Sequence, residues 1–121
     1  MPLVKGPDTY ELDESGIIKV WVQQSEDFPG HKLGEVLSAY SEKYGSTFEP
    51  YDGSDPNFPF ANNEPAKYFW FNGVTMPGKD FERRPVDIHI IRNGKSICPK
   101  QDLTFSLLPS DTVEIGVLRT C

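Results

Sequence analysis

The stretch that decides the fold is PVDIHIIRNGKSI, residues 85–97. Apolar and polar side chains alternate along its first half, which is the two-residue period of a β-strand with one buried face. The dipeptide Asn93-Gly94 follows, and it is the strongest short signal for a tight β-hairpin turn. The segment therefore predicts a strand and its return strand, with Val86, Ile88 and Ile90 on the core face.

Further strand patterns lie on both sides of this hairpin. Ile17–Val22 is β-branched and aromatic, and with the turn residues before it predicts a hairpin over residues 10–22. Lys67–Phe71 runs into Asn72-Gly73, a second hairpin signal. Thr112–Leu118 is the last strand pattern. We expect it to pair in parallel with Ile17–Val22 at the centre of one sheet.

One helix is predicted, over residues 31–44. Its apolar side chains recur at helical spacing and form a single stripe: Leu33, Val36, Leu37, Tyr40 and Tyr44. Gly45 follows as a stop signal. Because one amphipathic helix covers one face of a mixed sheet, the pattern predicts an α+β roll with a sheet of four to six strands packed on this helix.

The length of 121 residues predicts a single domain over residues 1–121. Residues 1–9 read as a loose lead-in. Residues 46–66 read as a long loop insertion, because four prolines interrupt regular structure there. The aromatic side chains of this loop leave two interpretations open. They pack on the domain as an ordered loop, or they bind a partner.

The net charge of −6 is distributed unevenly. Residues 1–64 hold four lysines and twelve acidic residues, whereas residues 65–121 hold eight basic and six acidic residues. The acidic balance argues against nucleic-acid binding, which depends on neutralising phosphates. No apolar run reaches the roughly 20 residues that span a membrane, so membrane insertion is not expected.

Cys98 and Cys121 are the only cysteines, and they form no C-x-x-C pair. Because residues 1–16 lack the apolar core of a signal peptide, we expect a cytoplasmic location with reduced thiols. Cys98 reads as a packing residue, and Cys121 is a candidate for a reactive thiol on a tail. No metal site or cofactor motif is present in the sequence, and neither is expected.

Residues 88–97 and 107–115 together resemble the ubiquitin-like β-grasp superfamily. The shared pattern is an apolar strand, Asn-Gly, a short return strand, then a leucine, a turn with Asp and a valine-rich final strand. The similarity is to the sulfur carriers, which include the small subunit of molybdopterin synthase and the thiamine-pathway carrier. The resemblance implies a β-grasp roll. Sulfur carriers act through a C-terminal Gly-Gly, and this chain ends instead in VLRTC, residues 117–121.

Aromatic and basic side chains in the second half of the chain are the candidate binding residues, because aromatics and arginine are enriched in interface hot spots. The candidates are Tyr68, Trp70, Arg83, Arg84, Arg92 and Lys95. His89 and Asp87 share one strand face. They form a pair for general base chemistry, or they belong to an exposed polar face.

The leading functional hypothesis is a non-enzymatic ubiquitin-like protein that acts by binding another protein. No catalytic motif of known spacing is present, which lowers the expectation of an enzyme without excluding one. One alternative is a sulfur carrier or conjugated modifier with a processed tail. Another is a small enzyme or ligand-binding domain with a pocket under the loop of residues 46–66.

Overall fold

In the computed structural model, the described residues are 1–7, 9–12, 14–22, 25–51, 68–74 and 81–116. They form nine strands and one helix. The elements are β1 (Leu3–Lys5), β2 (Thr9–Leu12), β3 (Ile18–Val22), β4 (Ser25–Asp27), α1 (Leu33–Tyr44), β5 (Thr47–Pro50), β6 (Tyr68–Val74), β7 (Phe81–Arg92), β8 (Lys95–Ile97) and β9 (Thr112–Gly116). The predicted α+β class with one main helix is confirmed.

Most of the described strands belong to one mixed sheet of seven strands, more than the four to six predicted. Its order is β4-β1-β9-β7-β6-β5, with β8 beside β7. Strands β1 and β9 run parallel, and their neighbours run antiparallel. Strands β2 and β3 form a separate two-stranded sheet, which confirms the predicted hairpin over residues 10–22.

Helix α1 packs its apolar stripe on one face of the large sheet. Its N-terminus is fixed by the Glu35 side chain, whose Oε1 accepts hydrogen bonds from the backbone N–H groups of His31 and Lys32 at 2.9 and 3.1 Å. His31 is exposed. The buried core between helix and sheet includes Val4, Leu33, Val36, Leu37, Tyr40, Phe69, Phe71, Val86, Ile88, Ile90, Val113 and Ile115.

The prediction that residues 1–9 are a loose lead-in is wrong for Leu3–Lys5. These residues form β1, and they, rather than Ile17–Val22, pair in parallel with β9. Val4 lies opposite Val113 and is 1% exposed. A single buried side chain between Pro2 and Gly6 gives no periodic signal, so the strand is defined by its distant partner and not by its own pattern.

This role of β1 makes Val4 a test of the central parallel pair. We expect Val4→Ala to destabilise the fold by about 2 kcal/mol, because it removes two buried methyl groups and leaves a cavity. Urea unfolding followed by circular dichroism measures this change. Leu3→Ala, on the other face of the same strand and half-buried, is the control with a smaller effect. Equal effects of the two substitutions would show that Val4 is not a core residue.

The two Asn-Gly dipeptides behave differently. Asn93 and Gly94 have φ values of 52° and 76°, as a type I′ turn requires, and they connect β7 to β8 as predicted. The prediction of a hairpin turn at Asn72-Gly73 is wrong, because both residues lie inside β6. A Cβ atom on Gly73 would come within 2.4 Å of the Cβ of Ser46. The glycine therefore allows a close approach of two chain segments rather than a turn.

The predicted loop of residues 46–66 begins with regular structure. Ser46 is buried, and Thr47–Pro50 form β5, which pairs antiparallel with β6. The aromatic side chains of this part pack on the domain: Phe48 contacts the core and Tyr51 is 2% exposed. Residues 52–66 lie outside the described residues.

Candidate functional site

Strands β6 and β7 carry the candidate site. Their register is continuous from Tyr68 opposite Asp87 to Val74 opposite Phe81. Because side chains alternate along a strand, Phe69 and Phe71 point to the helix. The even-numbered residues of β6 and the odd-numbered residues of β7 lie on the opposite face of the sheet.

We call the outer part of this opposite face the aromatic platform. It consists of three cross-strand pairs: Trp70 with Pro85, Asn72 with Arg83, and Val74 with Phe81. Arg83 is exposed, Phe81 is 65% exposed, and the other four residues are half-buried. The platform therefore combines apolar surface with one exposed cation.

Arg83 and Trp70 are diagonal neighbours on the platform and contact each other. The Cζ atom of Arg83 lies 4.4 Å from the centroid of the Trp70 ring, which is a cation–π contact. Such a contact reduces the freedom of both side chains before any partner binds. The preformed pair presents a flat aromatic and guanidinium surface at a small entropic cost of binding.

Phe81 belongs to the platform, although it is not among the residues predicted from the sequence. It lies at the start of β7, four residues before the predicted strand, and is an exposed aromatic side chain on the platform. Residues 81, 83 and 85 follow the same two-residue period as Asp87 and His89. This period places Phe81 on the same sheet face as those two residues. Exposed apolar side chains that cluster on one face mark an interaction site more strongly than isolated ones do.

A second small core supports the platform on one side. Tyr51 and Tyr68 are both 2% exposed, and Trp70 packs against them, with its ring centroid 6.0 Å from that of Tyr51. The Gln101 amide donates hydrogen bonds to the backbone oxygens of Tyr51 and Tyr68 at 3.0 and 2.8 Å. Tyr68, predicted as a binding residue, is therefore a support for Trp70 rather than a surface contact.

The pair Asp87 and His89 lies farther along the same sheet face. His89 Nε2 and Asp87 Oδ2 are 3.5 Å apart, and the side chains are 4% and 1% exposed. Glu114 lies opposite His89 in the register. The interpretation of an exposed polar face is wrong, because both side chains are buried. The pair is a buried polar contact within the fold.

The predicted basic residues do not form one patch. Arg84 lies on the helix face of the sheet and pairs with Glu82, Nε to Oε1 at 3.2 Å. Arg92 binds the Asp111 carboxylate through two hydrogen bonds of 2.9 and 2.7 Å. Lys95 is exposed beside the β7–β8 turn. Of the six predicted binding residues, the structure brings together Trp70, Arg83 and the supporting Tyr68.

The cysteines correct one expectation. Cys98 is disulfide-bonded, so it is neither reduced nor a simple packing thiol. Cys121, the candidate reactive thiol, lies outside the described residues. Disulfides are rare in cytosolic proteins, because thiols are kept reduced there.

A groove of about 460 Å³ lies on the other side of the molecule, between α1, β5 and Leu103. The lining residues of the groove are Gly34, Leu37, Ser38, Ser41, Glu42, Ser46, Thr47, Phe48 and Leu103. The pocket expected under residues 46–66 stays a prediction, because residues 52–66 lie outside the described residues.

The comparisons with known proteins add no identity. No protein-family profile, curated protein or solved structure matches the chain. Among the described residues, no group of three or more His, Cys, Asp or Glu side chains is placed to hold a metal ion. No helix in the described part of the chain is long and apolar enough to cross a membrane.

Proposed function

We propose that this chain is a β-grasp protein that acts by binding another protein through the aromatic platform. The observation that carries the proposal is the exposed Phe81 beside the stacked Trp70 and Arg83 on one sheet face. Aromatic residues and arginine are the side chains that dominate binding energy at protein interfaces. Arg83 adds a charge that selects a partner surface carrying carboxylates.

The strand arrangement supports the β-grasp part of the proposal. Strands β1 and β4 form an antiparallel pair before the helix, and β9 lies between β1 and β7 while running parallel to β1. With β8 on the other edge of β7, the order β4-β1-β9-β7-β8 is the five-strand arrangement expected of a β-grasp roll. The pair β5 and β6 extends that sheet and supplies half of the platform.

The alternative of a sulfur carrier or conjugated modifier depends on the tail, and residues 117–121 lie outside the described residues. A cytoplasmic location stays a prediction.

The platform predicts the effect of two surface substitutions on partner binding. We expect Arg83→Glu and Phe81→Ser each to weaken capture of a stoichiometric partner by about thirtyfold, the equivalent of a hot spot of about 2 kcal/mol. Both side chains are exposed, so neither substitution disturbs the core. The measurement is affinity capture from native lysate with quantitative mass spectrometry of the bound proteins.

Lys95→Glu is the matched control, because it makes the same charge change at an exposed residue away from the platform. The proposal predicts that this variant captures the partner as well as the unmodified chain does. Equal capture by all four proteins, or loss of capture in Lys95→Glu alone, would contradict the assignment of the platform.

A further inference from the structure

We infer that Gln101, which lies outside the aromatic platform, is a positioning residue for partner binding. Its side-chain amide connects the loop after β8 to the two tyrosines that support Trp70, and it thereby fixes the ring on which Arg83 stacks. This role rests on the proposed function of the platform. It adds a residue that sets partner affinity without contacting the partner.

The loop after β8 carries Gln101 in a closed turn. Pro99 is buried, and its backbone oxygen accepts the N–H of Asp102 at 3.1 Å, so residues 99–102 form a hydrogen-bonded β-turn. Lys100 has a φ of 56°, a left-handed conformation that is uncommon for a residue with a Cβ atom. The turn therefore fixes the backbone position from which the Gln101 side chain extends.

The Gln101 amide group donates to two backbone oxygens at once. Its Nε2 atom lies 3.0 Å from the oxygen of Tyr51 and 2.8 Å from the oxygen of Tyr68. Carbonyl oxygens only accept hydrogen bonds, so the NH₂ end of the amide has to face them. A glutamate of the same shape cannot replace this contact, because an ionised carboxylate has no donor.

These two contacts close the end of the β5–β6 pair. Tyr51 follows β5 directly, Tyr68 is the first residue of β6, and the N–H of Tyr51 donates to the oxygen of Tyr68 at 3.1 Å. The oxygen of Tyr68 therefore accepts from both Tyr51 and Gln101. A residue from a third segment of the chain thus joins the two strands at the point where their pairing ends.

Trp70 transmits this connection to Arg83. Tyr51 and Tyr68 are both 2% exposed and pack against Trp70, whose ring meets the Tyr51 ring edge-on at 75°, with the centroids 6.0 Å apart. The Arg83 Cζ atom lies 4.4 Å from the Trp70 centroid, and a cation–π attraction depends on the position of the cation over the ring face. A change in the Trp70 ring position therefore displaces the Arg83 guanidinium group.

The first test follows the full chain without a partner. The ring current of Trp70 shifts the NMR signals of the Arg83 side-chain protons upfield, and Trp70→Ala gives the reference without this shift. We expect Gln101→Glu, which keeps the side-chain shape, and Gln101→Met, which has neither donor nor charge, each to move the Arg83 signals toward that reference. A loss of stability alone would lower the urea midpoint and leave the Arg83 signals of the folded chain unchanged.

Asp102→Asn is the matched control. It exchanges a carboxylate and an amide at the next position, where the side chain contacts only Thr104 among the described residues. We expect its Arg83 signals to match those of the unmodified chain. In affinity capture from native lysate, both Gln101 variants should bind the partner about fivefold less tightly, because Trp70 and Arg83 have to be ordered on binding.

Unchanged Arg83 signals in both Gln101 variants, or an equal displacement in Asp102→Asn, would overturn the role of Gln101. Displaced signals with undiminished partner capture would overturn it too. Failure of the proposed function has a different signature, which is equal capture by the unmodified chain and the Arg83→Glu variant. That result would remove the role of Gln101 in partner binding whatever the Arg83 signals show.

Discussion

Replacing Asp111 with alanine should destabilise the fold by about 3 kcal/mol. The Asp111 side chain is fully buried, and its carboxylate accepts two hydrogen bonds from Arg92 and one from the backbone N–H of Leu108 at 2.8 Å. The backbone oxygen of Asp111 also accepts the N–H of Leu3 at 3.1 Å. The residue thus connects the end of β7, the turn before β9 and the start of β1. Its loss leaves Arg92 without its carboxylate partner.

Urea unfolding monitored by circular dichroism measures this loss. Asp102→Ala is the control, because its carboxylate makes only a local, exposed turn contact with Thr104. We expect the control substitution to lower the free energy of unfolding by about 1 kcal/mol or less. A similar cost for the two variants would contradict the connecting role of Asp111.

The same contact predicts a pH dependence. The hydrogen bonds from Arg92 lower the pKa of Asp111 below its ordinary value. A carboxyl group with a lowered pKa in the folded state binds fewer protons there than in the unfolded chain. Its stabilisation is therefore present above the unfolded pKa of about 4 and is lost as the pH falls through the folded pKa. The stability difference between the unmodified chain and Asp111→Asn should shrink from pH 7 to pH 3.

Gly73→Ala should destabilise the fold by about 3 kcal/mol, because the added methyl group has no space. An ideal Cβ at this position lies 2.4 Å from the Cβ and 2.9 Å from the Cα of Ser46. The second of these atoms is backbone, so the chain at Ser46, directly before β5, has to shift away from β6. We expect lower protection from hydrogen exchange at Phe48 together with the loss in urea stability.

Gly45→Ala separates this steric effect from the backbone effect of a glycine substitution. No atom lies within 4 Å of a Cβ at Gly45, and its φ of 65° costs an alanine about 1 kcal/mol. If Gly73→Ala lowers the free energy of unfolding no more than Gly45→Ala does, then the chain at Ser46 does not pack closely on β6 at Gly73.

Local patterns in the sequence predicted the helix, the alternation in β7 and the turn at Asn93-Gly94. Each of these depends on residues a few positions apart, where periodicity and turn chemistry act directly. Strand β1 escaped prediction because three residues with one buried side chain carry no period. Its identity depends on β9, which follows more than one hundred positions later.

The candidate site was only partly predictable for the same reason. Trp70 and Arg83 have the right chemistry for an interface, but their contact depends on the register of β6 against β7. Arg92 has the same chemistry and is held instead by Asp111, 19 positions away. At Asn72-Gly73 the local turn signal was overridden by the approach of Ser46, which the sequence does not reveal.

Site-specific photo-crosslinking tests partner binding by the aromatic platform most directly. A p-benzoylphenylalanine at position 81 replaces the exposed Phe81 with a similar aromatic side chain, and one at position 108 replaces Leu108, which is 48% exposed outside the platform. On irradiation in native cells, we expect one discrete adduct from position 81, which is lost when Arg83→Glu is present in the same chain. We expect no such adduct from position 108. Absence of an adduct at position 81, or the same adduct from both positions, would contradict partner binding by the aromatic platform.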